Sequence, residues 1–157
     1  MNRCIPVVIL LATVALVSCD SNSPAVPNVP ATDTAETDTE VDPTQEALGL
    51  LNQRRAESGL APVEADSTLE IGCAAHVEYM RATDSVIHQQ DSKSPHFSTE
   101  GAAAAENATL SGNVASLSDA IEAWLAEPYH RLPLLHPGLT KVGGAHADGY
   151  ACLDIYS

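Results

Sequence analysis

The stretch Lys141 to Tyr156, KVGGAHADGYACLDIY, decides the fold class. Two short runs suited to strands, Lys141 to His146 and Tyr150 to Tyr156, flank Asp148-Gly149. That dipeptide tolerates the positive φ angles of a tight two-residue turn, so a β-hairpin is expected here. Towards the N-terminus the apolar period lengthens from two to 3.6. Ser118 caps a helix through Ala126 that carries Ile121, Trp124 and Leu125, and Pro128 ends it. The segment His130 to Pro137 separates this helix from the hairpin. Ser67-Thr68-Leu69-Glu70 reads as a capping box opening a helix to about Ala82, in which Leu69, Cys73, His76, Val77 and Met80 share one face. Asp42-Pro43-Thr44-Gln45 supplies an N-cap, a proline at the first helical position and a capping-box glutamine. With Gly59 as its stop, a helix is predicted over 43–58. Between 83 and 112 the chain is rich in His, Ser, Gln, Ala and Gly without clear periodicity, which predicts loop with one short strand. Helices first and a hairpin last define an α+β domain.

The N-terminal third reads differently. Arg3 precedes an apolar run from Ile5 to Val17, shorter than the roughly 20 residues that span a bilayer as a helix. Residues 1–18 are therefore read as a signal peptide. Leu16-Val17-Ser18-Cys19 resembles the bacterial lipobox, which makes Cys19 the lipid-bearing first residue of a mature, envelope-anchored lipoprotein. Asp20 directly after it resembles an inner-membrane retention signal of enteric bacteria, but inner and outer membrane both remain open. Residues 19–43 form an acidic, Pro/Thr-rich tether without Lys, Arg or aromatic side chains, too polar to build a core. As a flexible coil it would reach roughly 25 to 30 Å. Residues 44–157 form one domain.

The formal charge of −14 argues against nucleic acid and anionic headgroups as partners, since both are bound chiefly through Lys and Arg. Membrane association would rest on the acyl chains at Cys19. Of the four cysteines, Cys4 leaves with the signal peptide, so Cys73 and Cys152 are the two in the domain. An exported compartment lets them pair; the alternative is two buried free thiols.

The ordered pieces of the domain resemble the CAP superfamily, named for cysteine-rich secretory proteins, antigen 5 and pathogenesis-related proteins, in its compact bacterial SCP-like form. They are Leu51-Asn52-Gln53-Arg54-Arg55 with Ser58-Gly59-Leu60-Ala61-Pro62, then Leu69 with Ala74-Ala75-His76, Tyr79-Met80, His88 and Ala105-Glu106-Asn107. Trp124 to Pro128, His130-Arg131, Leu134-Leu135, Pro137 and Val142-Gly143 complete the set. The resemblance implies an α-β-α sandwich with a small central antiparallel sheet and a cleft of two histidines and two glutamates. Carried over, these are His88, Glu106, His130 and Glu127, with Ala105 standing where the family has glycine.

Two imidazoles with carboxylates could hold a divalent metal, zinc first, could act as general acid and base, or could form a structural network. Two functions of different classes follow. One is a non-enzymatic binding module for a small apolar ligand, a metal or an envelope protein, a reading the resemblance supports through family members that bind sterols and lipids. The other is a metal-assisted hydrolase acting on peptide or envelope polymer, with Glu106 as base. The sequence has no G-x-S-x-G elbow, H-E-x-x-H helix, phosphate-cradling glycine loop or C-x-x-C pair. His76 reads as a satisfied core histidine, His96 as loop-exposed, His136 and His146 as surface residues, and Arg131 as part of a solvated ion pair.

Overall fold

The computed structural model describes residues 42–155. The signal peptide, Cys19 and the tether up to residue 41 lie outside the described residues. The element order is α1 (Pro43–Glu57), β1 (Glu64–Ala65), α2 (Ser67–Thr83), α3 (Thr99–Asn107), β2 (Ala108–Ser111), α4 (Leu117–Ala126), α5 (Pro128–Leu134), β3 (Lys141–Ala147) and β4 (Tyr150–Asp154). The class is α+β. Strands run in the order β1-β3-β4-β2. β4 pairs antiparallel with both β2 and β3, while β1 adds two residues parallel to β3 at one edge. The hairpin forms where expected: Asp148 and Gly149 have φ of 48° and 86°, and Ala147 faces Tyr150 across the turn.

Alternation along β4 divides the core in two. Ala151, Leu153 and Ile155 join Ala47, Leu51, Ile121, Trp124, Leu134 and Val142 on the side of α1, α4 and α5. Cys152 points the other way, to Cys73, Val77, Met80, Ala104, Ala108 and Leu110 under α2 and α3. Period-two exposure of successive side chains to opposite faces is what places a helical layer on each side of the sheet. The glycine pair of β3 keeps both layers close: a Cβ on Gly143 would lie 2.3 Å from the α2 backbone at Glu70, and one on Gly144 would lie 2.7 Å from Leu117.

Cys73 of α2 and Cys152 of β4 form a disulfide with Cα atoms 5.3 Å apart, so free thiols are excluded. Because 79 positions separate them, the bridge constrains the unfolded chain by about 4.5 kcal/mol in the loop-entropy model. Among the described residues no helix is long and apolar enough to cross a membrane.

Four details differ from the sequence reading. The residues read as loop before β2 contain α3, whose sequence TEGAAAAEN packs small side chains rather than a large apolar stripe; Ala104 would lie 3.2 Å from a Cβ on Gly72 of α2. Pro128 ends α4 but also opens α5, because a missing N–H costs nothing at a first helical turn. Asp66 rather than Ser67 caps α2, accepting from the Thr68 and Leu69 amides. Ser116 rather than Ser118 caps α4, accepting from Asp119. In both helices the cap lies upstream of the residue read from the pattern.

Candidate functional site

His88 lies in the α2–α3 connection, Glu106 in the last turn of α3, and His130 in α5. With Ala108, Thr109, Tyr129, Pro133 and Ile155 they line one cleft of about 220 Å³. Three of the four residues named from the resemblance thus share a wall, although they are far apart in sequence. Glu127 is not among the lining residues. Its carboxylate, largely exposed, accepts from His130 Nδ1 at 2.8 Å. It orients the imidazole without facing the cleft, because Glu127 stands at the cap of α5, one helical turn before His130.

Hydrogen-bond partners fix which ring nitrogen carries the proton. His88 Nδ1 faces the Ala105 carbonyl oxygen at 2.9 Å, and an oxygen with only lone pairs requires that this nitrogen donate. The neutral ring then keeps a bare lone pair on Nε2. His130 follows the same logic, with the Glu127 carboxylate in place of the carbonyl. Among the described residues each neutral ring leaves one acceptor nitrogen without a partner, and the Glu106 carboxylate adds acceptors to the same cleft.

His76 is the counterexample. It is fully buried, its Nε2 donates to the Ile87 carbonyl at 2.9 Å, and its Nδ1 accepts from the Gln90 amide at 3.1 Å. The orientation of that amide follows from Ser98, whose backbone N–H donates to Gln90 Oε1 at 3.0 Å. Both nitrogens are therefore committed to protein. Burial holds the His76 pKa below its ordinary value, against a smaller opposing effect of the Ile87 bond; the nearby His88 lowers it further. The result is a neutral core histidine, as its place on the apolar face implied. It clips the segment carrying His88, and the Tyr79 hydroxyl accepts from the Asp91 amide at 2.9 Å to hold the next turn. Gln90 and Ser98 carry no period or motif, so only their place beside His88 could have pointed to them.

A second concavity, about 600 Å³, lies beside the cleft. Tyr129, Leu132, Pro133, His136, Leu139 and Ile155 supply much of its lining. Its far wall is positioned by Arg55 of α1, a fully buried cation. The guanidinium donates to the carbonyls of Ala61, Leu134, His136 and Leu139 at 2.7–3.2 Å. Burial lowers its pKa, and four carbonyl dipoles take the place of an acidic partner. Asn52, one turn earlier, bonds both the N–H and the carbonyl of Val63. The Leu-Asn-x-x-Arg segment is thus structural. Arg131, expected in a solvated ion pair, instead donates to the Leu125 carbonyl and closes the α4–α5 junction. His96 and His136 are exposed, and His146 is half-buried, bonded to the Val114 carbonyl.

The zinc expectation meets a geometric limit. A protein zinc site needs at least three ligands converging at about 2.0–2.3 Å. Among the described residues no three His, Cys, Asp or Glu side chains are grouped closely enough to hold a metal ion. The acceptors share a cleft without meeting at one point, so the residues do not fit a metal centre in this arrangement.

Sandwich and cleft together define the class of protein: an α-β-α domain with a histidine–glutamate cleft at the end of its sheet. The sequence profile of the cysteine-rich secretory protein family, CAP, matches residues 48–156, and the chain belongs to that family. Solved structures agree on the fold. An extracellular protein containing an SCP domain from Bacillus anthracis superposes with a TM-score of 0.61 at 19% identity, covering 73% of this chain and 40% of that one. An outer surface protein of Borrelia burgdorferi gives 0.55 at 18% identity, covering 71% and 87%. A cysteine-rich secretory protein from Staphylococcus aureus gives 0.53 at 17% identity, covering 74% and 38%. The chain thus spans well under half the length of the Bacillus and Staphylococcus proteins. Among curated proteins, none matches.

Proposed function

We propose that this chain is a cell-envelope lipoprotein whose CAP domain binds a small amphipathic molecule. One observation carries the reading: the groove that holds Leu132, Leu139 and Ile155 shares Tyr129, Pro133 and Ile155 with the histidine–glutamate cleft. A ligand lying across that shared wall would place an apolar body in about 600 Å³ and a polar end beside His88, Glu106 and His130. The groove falls in the range of about 300–1,000 Å³ usual for small-molecule sites. Tyr129 and Leu132 are 89% and 70% exposed, apolar surface that a bound molecule would cover. Lipidation at Cys19 is supported by the Leu16–Cys19 motif, and the extracellular and outer-surface setting of the similar Bacillus and Borrelia proteins supports the location.

The test uses N-phenyl-1-naphthylamine, a neutral dye whose fluorescence rises in apolar surroundings. The reading expects saturable fluorescence with the soluble domain, weakened several-fold in Leu132→Glu, an exposed substitution that leaves the core intact. No saturable signal would overturn it. Fatty-acid labelling that persists in Cys19→Ala would remove the lipoprotein part independently.

A further inference from the structure

We infer that the cleft selects ligands whose polar end donates hydrogen bonds, a primary ammonium or a hydroxyl, and rejects ends that only accept, such as carboxylates and ethers. The inference rests on the small-molecule reading above and adds the chemistry of the ligand's head.

It follows from the direction in which each polar group is already committed. His88 Nδ1 gives its proton to the Ala105 carbonyl, and His130 Nδ1 gives its proton to Glu127. In the neutral rings only the Nε2 lone pairs remain, and these accept. Glu106 lines the same cleft with a carboxylate, which also accepts. Three of the five polar side chains that line the cleft therefore ask for donors. The other two are Thr109, whose buried hydroxyl has no hydrogen-bond partner among the described residues, and Tyr129, whose hydroxyl can donate or accept.

The spread of these acceptors decides between an ion and a molecule. Among the described residues no three His, Cys, Asp or Glu side chains are grouped to hold a metal ion, so a metal ion could not satisfy them together. An ammonium with three N–H bonds, or a hydroxyl with one, meets separated acceptors along separate directions. A carboxylate head would face two lone pairs and a like charge, leaving its own desolvation unrepaid. The formal charge of −14 favours the ammonium further at long range.

Net charge alone would also favour amines, so the decisive probes are neutral. Binding of 1-octanol, octyl methyl ether, octylamine and octanoate to the soluble domain is measured by NMR titration at pH 7.5 in 0.15 M salt. All four share the same apolar body. Octanol is expected to bind about ten-fold more tightly than the ether, the value of one well-made hydrogen bond to an otherwise unpaired acceptor. His88→Leu should erase that difference while the ether still binds. Glu106→Gln, at an exposed position that does not threaten folding, should lower the preference for octylamine over octanol by about ten-fold, the loss of one charge-assisted bond. Equal binding of octanol and ether in the parent protein, or a preference unchanged in both variants, overturns the inference and leaves the small-molecule reading standing. Failure of all four probes to bind removes that reading and the inference with it.

Discussion

His76 and the pair His88 and His130 are the same residue type put to opposite uses. Under α2 and α3, His76 commits both ring nitrogens to protein atoms and has no exposed surface. In the cleft, His88 and His130 each commit one nitrogen and keep the other. The difference teaches that a histidine's function is read from its unspent hydrogen-bonding capacity rather than from its presence near a motif. A fully satisfied ring is part of the scaffold; a half-satisfied ring in a concavity is available to a ligand.

The comparison breaks most visibly if the scaffold histidine can be removed cheaply. His76→Leu leaves the Ile87 carbonyl and the Gln90 amide unpaired near a buried site, so a loss of about 2–4 kcal/mol in urea unfolding is expected. A pH signature accompanies it. Burial depresses the folded-state pKa of His76, so the unfolded chain takes up a proton first as pH falls. Its contribution is fully present above about pH 6.5 and is lost as pH falls below that value towards the folded pKa, at up to about 1.4 kcal/mol per pH unit. His76→Gln should flatten that part of the stability profile. A profile identical to the parent's would show that the ring is not held neutral by burial.

The smallest effect is expected on the other side of the comparison. His130→Ala removes a partly exposed side chain paired only with a largely exposed carboxylate. Its cost to unfolding stability should stay under about 1 kcal/mol. A loss as large as that of His76→Leu would make the cleft a structural network and erase the contrast.

Much of the scaffold was legible in the sequence because local signals agreed with the global pattern. Asp148-Gly149 announced its turn, Cys73 sat on the inward face of α2, and Trp124 marked the buried side of α4. What escaped was structure built without large side chains or with dual-purpose residues. α3 hides in an alanine run because close approach at Gly72 replaces a hydrophobic stripe, and α5 hides behind a proline that stops one helix while starting the next. The cleft was legible only through resemblance. His88, Glu106 and His130 come together through the topology of the sandwich, which no spacing reports, and Glu127 looked like a cleft residue because sequence cannot show that it faces the back of His130. Gln90, which fixes the protonated nitrogen of His76, stands in a polar loop with no pattern at all.

Long-range proton–nitrogen NMR of the imidazole rings at pH 7.5 tests the account most directly, because it reads the tautomer of each histidine. The geometry predicts that His76 carries its proton on Nε2, whereas His88 carries its proton on Nδ1 and leaves Nε2 bare. A His88 ring protonated on Nε2, or the same tautomer in both residues, would contradict the distinction between scaffold and site on which the functional reading rests.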